Sequence, residues 1–274
     1  MLDRRDISIK INLVGITDRM QRVLRDAMNI VAIGLNAKKD IAAETLAIPG
    51  VTMQHQFAAS QSWSIEEARD AWELWVIRNG FRDIAEELSS LLEEVQTVLA
   101  YWKIRLLQDS KSLRGEDWNE IVVRRSQQFH RRTLPQKLEF LEQKYSFTLD
   151  LILIHQAMTI NAARNCLTHR GGIVTQIDVD TSGKFVLEWS ALVLLAKIDG
   201  QEKEINVPYY AKAGTEILVG IRGKSKSFEI GQMVSVNTEE FTQVCWTLFK
   251  LATSCAQRLE AYGKERAFNF DSAV

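Results

Sequence analysis

Three prolines, three cysteines and four histidines are few for 274 residues, and neither sign of charge prevails: 34 Lys and Arg face 35 Asp and Glu, a formal net charge of −1. Scarce proline leaves long periodic segments unbroken through the first 170 residues, which points to helices. Cys166, Cys245 and Cys255 are odd in number and lack ligand spacing, so they are expected as reduced core thiols of a cytoplasmic protein. The histidines are scattered, so no metal and no cofactor is expected, and no phosphate-cradling Gly-rich loop is present. Balanced charge gives no general attraction to polyanions, and any RNA site must come from local clusters of positive residues. The opening MLDRRDISIKINLVG breaks each apolar run with charge and reads as neither signal peptide nor anchor. No stretch approaches the roughly 20 apolar residues of a spanning helix, so a soluble chain without a membrane partner is expected.

Apolar residues make up 46% of the chain, enough for a sizeable core. A helix is predicted from Ser64, where Ser64 and Glu67 form a capping box and Ile65, Ala68, Trp72, Trp75 and Asn79 share a face, until Gly80 interrupts it. From Phe81 a seam runs through Ile84, Leu88, Leu91, Val95, Val98 and Trp102, suited to an intramolecular neighbour or a second protomer. Trp63, Trp72, Trp75 and Trp102 are expected in core or dimer packing rather than as base-stacking platforms. Further helices are predicted around 117–131, 134–145 and 148–170, with Pro135 in a first turn.

After Gly172 the period changes to two. GKFVLEWSALVLLAKI and KEINV read as strands joined at Asp199-Gly200. A final helix is capped by Asn237 and Glu240, stapled by Val236 and Phe241, and runs to about Tyr262. The expected fold is mainly α, an antiparallel helical bundle in one domain over 1–274. Residues 173–236 form a small antiparallel β-sheet insertion, and 237–264 the closing helix. A separate C-terminal β/α domain is the alternative.

One helix carries chemistry. In LDLILIHQAMTINAARNCLTHR, Asn161, Arg164, Asn165, Thr168 and His169 fall at i, i+3, i+4, i+7 and i+8, a polar stripe on an otherwise apolar helix. Gly171 and Gly172 supply a left-handed stop, which puts His169 in the last turn, where the macrodipole favours imidazolium. Imidazole moves protons near neutral pH and guanidinium grips phosphate oxygens in bidentate fashion. Arg164 and His169 lie five residues apart, about 140° around the helix, so they straddle a groove rather than touch.

RNCLTH, with Arg164, Asn165 and His169, resembles the motif of the HEPN superfamily (higher eukaryotes and prokaryotes nucleotide-binding). That motif is an Arg, four to six residues and a His, on one of the last helices of a bundle. The resemblance covers roughly 64–172 and extends to the final helix, while the sheet lies outside it. It implies a helical homodimer with a composite active site that cleaves RNA without metal, as a toxin or antiphage defence effector held by an antitoxin or other regulatory partner. Some family toxins carry a tyrosine two residues after the His. Gly171 stands there in this chain.

The spacing occurs twice, since Arg125 to His130 in RRSQQFH matches it as well; Arg164 to His169 is preferred for its Asn165, helix end, glycine stop and apolar setting. The expected catalytic residues are Arg164, Asn165 and His169, with Asn165 holding phosphate or orienting His169. Arg124, Arg125, Arg131 and Arg132 are the expected RNA-binding cluster, supplemented by Arg222, Lys224 and Lys226. Alternatively, the arginines form a solvated face or pair with the acidic SIEEARDAWE segment. Asp83 and Glu86 are expected to be exposed or structural, with pairing to Arg164 or His169 as the alternative. A non-catalytic dimeric nucleotide-binding or adaptor protein using the same cleft is the other functional reading.

Overall fold

A computed structural model describes residues 12–42, 64–108, 123–124, 126–198, 201–205 and 216–266. Helices α1 (Leu13–Ala37), α2 (Ile65–Gln108), α3 (Leu134–Tyr145) and α4 (Leu151–His169) are followed by strands β1 (Lys184–Ile198), β2 (Gln201–Ile205) and β3 (Ile217–Glu229) and by α5 (Thr238–Glu265). The protein is mainly helical, with a small three-stranded antiparallel sheet ordered β2-β1-β3. Among the described residues no helix is long and apolar enough to cross a membrane. The described residues pack as two compact units, one drawn from 12–22, 86–151 and 249–266, the other from 23–85 and 152–248.

The expected break at Gly80 does not occur: α2 is continuous from its capping box, where Ser64 N–H donates to Glu67 Oε2 at 2.7 Å and Glu67 N–H to Ser64 Oγ at 3.2 Å. Glycine is there for packing. A Cβ on Gly80 would lie 2.6 Å from Val31 Cγ2 and 2.9 Å from Phe241 Cζ. Phe81, Ile84, Leu88, Leu91, Val95, Val98 and Trp102 are all buried, so packing within the chain consumes the seam.

In the first unit, α3 starts with Thr133 N–H donating to Gln136 Oε1 at 3.0 Å and has Pro135 in its first turn. It ends at Ser146, whose φ of 54° lets Phe147 N–H reach Leu141 O at 3.2 Å. The α3 stripe Lys137, Leu141 and Tyr145 is buried, beside aromatic contacts of Phe140 with Phe129 and Tyr145 and of Tyr262 with Trp102 and Phe147.

In the second unit, Phe185, Leu187, Trp189, Ala191, Val193 and Leu195 alternate along the buried face of β1. β3 pairs with β1 from Lys184↔Glu229 to Ala196↔Ile217, but β2 covers only Leu194–Ile198 of the opposite edge. The remaining edge of β1 needs other partners, because buried backbone groups must be satisfied. Helix hydroxyls supply them. Thr159 Oγ1 on α4 accepts Glu188 N–H at 3.0 Å, and Thr247 Oγ1 on α5 accepts Ser190 N–H at 2.8 Å. Ser190 Oγ adds a bond to Gln156 Oε1 at 3.0 Å. The outer strands exchange ion pairs, Lys224 with Glu204 at 2.7 Å and Arg222 with Glu202 at 3.6 Å.

Candidate functional site

Helix α4 presents its polar stripe away from the core. Leu153, Gln156, Ala157, Ile160, Ala163, Cys166 and Leu167 are buried, Asn161, Arg164, Asn165 and Thr168 are half-buried, and His169 is exposed. The glycine stop forms as the sequence predicts, with Gly171 at φ 63° and Gly172 at φ 81°. Gly172 N–H donates to Cys166 O at 3.1 Å and Arg170 N–H to the same carbonyl at 3.0 Å, closing the helix directly after His169.

The chain beyond the helix is tied down. Val234 N–H reaches Gly172 O at 2.8 Å, Val174 N–H reaches Gln232 O at 2.9 Å, and Ile173 bridges Met233. Arg170 is ion-paired to Asp178, whose other oxygen accepts Thr175 N–H at 2.9 Å. His169 therefore sits on a fixed helix end.

Arg164 Nη1 donates to Asn165 Oδ1 at 3.0 Å, while its Nε and the hydroxyl of Thr168 one turn on are buried without a hydrogen-bond partner. Unsatisfied buried donors are costly unless a ligand or water meets them. Asn165 thus holds Arg164 rather than His169, whose imidazole makes no hydrogen bond to any described residue. Asp83 has Arg82 as its partner, at 3.4 Å.

The basic cluster is partly engaged. Arg124 and Arg131 are exposed, Arg132 lies over the Phe140 ring at 4.6 Å, and Arg125 is outside the described residues. Described acidic side chains of the 64–73 segment pair with Lys38 and Arg69. Arg222, Lys224 and Lys226 are neutralised by Glu202, Glu204 and Glu240. Trp72 and Trp75 stack at 5.5 Å on a part-exposed face rather than in the core, with Trp72 Nε1 donating to Gly34 O at 2.7 Å; Trp63 lies outside the described residues.

Sequence reasoning missed a second polar group, in the first unit. Lys137 is 1% exposed, and its ammonium donates to Ser89 Oγ at 2.5 Å and Glu93 Oε1 at 2.6 Å. The same Glu93 oxygen lies 2.9 Å from His130 Nδ1. Burial alone would raise the Glu93 carboxyl, but the hydrogen bonds from Lys137 and His130 hold it below its ordinary value. Ser89, Glu93 and Gln96 share one face of the amphipathic α2 at i, i+4 and i+7, and the one clear signal of the group is Lys137 in register with the apolar Leu141 and Tyr145.

No protein-family model matches the chain, and neither a curated protein nor a solved structure matches it.

Proposed function

We propose that this protein cleaves RNA without a metal ion, and that it does so as a HEPN-type endoribonuclease. Its composite site lies between two copies of the chain, each contributing Arg164, Asn165 and His169. One observation carries the reading: a guanidinium with a buried, unpartnered Nε and an exposed, unpartnered imidazole stand on one helix end whose following segment is fixed. A half-buried guanidinium and an exposed imidazole on a fixed helix end suit a phosphodiester, the first through its charge and planar fork and the second through proton transfer.

In this mechanism one His169 takes the proton of the 2′-OH, and the 2′-oxygen attacks phosphorus. The second His169 gives a proton to the departing 5′-oxygen, leaving a 2′,3′-cyclic phosphate and a 5′-hydroxyl. Arg164 binds the non-bridging oxygens as negative charge grows on them, and Asn165 holds its guanidinium in place. Two copies are needed because Arg164 and His169 of one chain diverge by about 140° around α4. Arg124, Arg125, Arg131 and Arg132 serve RNA capture through its phosphates. A toxin or antiphage role, under an antitoxin or other regulator, follows from the resemblance in RNCLTH.

The test is the chemistry of the products. An RNA incubated in EDTA should yield 2′,3′-cyclic phosphate ends, and the same RNA with a 2′-deoxy sugar at the cleaved position should survive. Intact RNA beside tight nucleotide or protein binding at the same cleft would instead favour the non-catalytic dimeric binding or adaptor protein.

A further inference from the structure

The group around Lys137 opens onto a cleft of about 480 Å³ lined by Glu93, Ser126, Gln127, His130 and Arg131. Its wall is a fixed polar array. Ser126 Oγ donates to Gln96 Oε1 at 3.3 Å, and the Gln96 side chain is fully buried with its Nε2 unpartnered. His130 is 73% exposed, and the contact of its Nδ1 with Glu93 leaves Nε2 free for another partner. The Glu93 carboxylate does not make the cleft repel anions, because the buried ammonium of Lys137 cancels its charge at 2.6 Å. What remains is Arg131, the imidazole edge of His130 and the Gln127 amide, since the Ser126 hydroxyl is spent on Gln96: one permanent positive charge and a few donors.

We propose that this cleft binds a phosphate monoester, with Arg131 and His130 Nε2 as its principal contacts and Glu93 and Lys137 as the pair that aims the histidine. The hollow is open to solvent rather than enclosed, so it receives the phosphate and leaves the rest of the ligand outside. The ligand chemistry has two sources, a free mononucleotide or the terminal phosphate of an RNA. The site uses neither Arg164 nor His169, but it shares Arg131 with the RNA-capture cluster of the ribonuclease reading, so nucleotide binding and cleavage are measured apart.

The experiment titrates the His169→Ala protein, which holds RNA intact if the ribonuclease reading is right, with AMP and with RNA decamers bearing either a 5′-phosphate or a 5′-hydroxyl. Arg131→Gln and His130→Asn are titrated in parallel, and both change exposed side chains. Binding of AMP, or a 5′-phosphate preference among the decamers, that weakens about tenfold or more in each variant is the expected result. AMP alone identifies a free nucleotide as the source, and the decamer preference alone identifies an RNA end. Absence of AMP binding together with equal affinity for the two decamers overturns the proposal. So does AMP binding that both variants retain in full. Cleavage by the unmutated protein is read separately, so failure of one reading leaves the other standing.

Discussion

Replacing Glu93 by Ala strands the most deeply buried charge among the described residues. Lys137 is 1% exposed and keeps only Ser89 Oγ, at 2.5 Å, and the Phe129 ring, at 5.5 Å, once the carboxylate is gone. Breaking a buried pair by removing one partner costs about 3 to 5 kcal/mol. Glu93 is itself 28% exposed, so water reaches the gap and the lower end applies, about 3 kcal/mol. For a chain of this size that is a fall in Tm of roughly 6 to 12 °C. The double variant Glu93→Leu with Lys137→Met removes both charges and should lie within about 1 kcal/mol of the unmutated protein. The lowered Glu93 carboxyl fixes the pH dependence. The pair contributes its full stability above the unfolded carboxyl value, about 4.3, and loses it as pH falls through the lower folded value. Thermal melts from pH 3 to 8 of the protein, Glu93→Ala, Glu93→Leu, Lys137→Met and the double variant measure this. A Tm drop under about 2 °C for Glu93→Ala, or a double variant as unstable as the sum of the singles, would refute the reasoning.

Three further outcomes follow from the packing. Thr247→Val is isosteric but leaves Ser190 N–H without its acceptor at 2.8 Å, and should cost about 1 to 3 kcal/mol in urea unfolding, with faster exchange of that amide. Gly80→Ala should destabilise by about 1 to 3 kcal/mol, since its methyl would meet Val31 Cγ2 at 2.6 Å in the interior of α2; an unchanged melting curve would contradict that contact. Burial pushes the Cys255 thiol up to about 12 and also raises Cys245 and Cys166, so all three should resist a thiol reagent at pH 8 until the chain is denatured.

The helix ends were legible because their chemistry is local. Ser64 with Glu67, Asn237 with Glu240, Pro135 and the glycine pair after His169 each fix a boundary through a few neighbouring residues. Gly80 misleads because its role depends on Val31 and Phe241, which no local reading contains. The expected turn at Asp199-Gly200 lies outside the described residues, though Ile198 pairs with Gln201 beside it. β3 was not delimited in the sequence: ILVGIRGKSKSFE is mostly exposed, and its basic residues read as a polyanion patch although their partners stand on β2 and α5. For the candidate site, the α4 stripe follows from periodicity alone, whereas the Arg164 to Asn165 bond is a rotamer choice. The Glu93, His130 and Lys137 group joins α2 to residues 37 and 44 positions further along the chain, a pairing that no local reading contains.

The central claim meets its most direct test in RNA cleavage in EDTA by the purified protein beside His169→Ala, once both are shown to be folded and of equal mass in solution. Cleavage by the unmutated protein and its loss in the variant are the expected results. Equal cleavage by both proteins would contradict the claim, because α4 would then end at His169 for reasons other than catalysis.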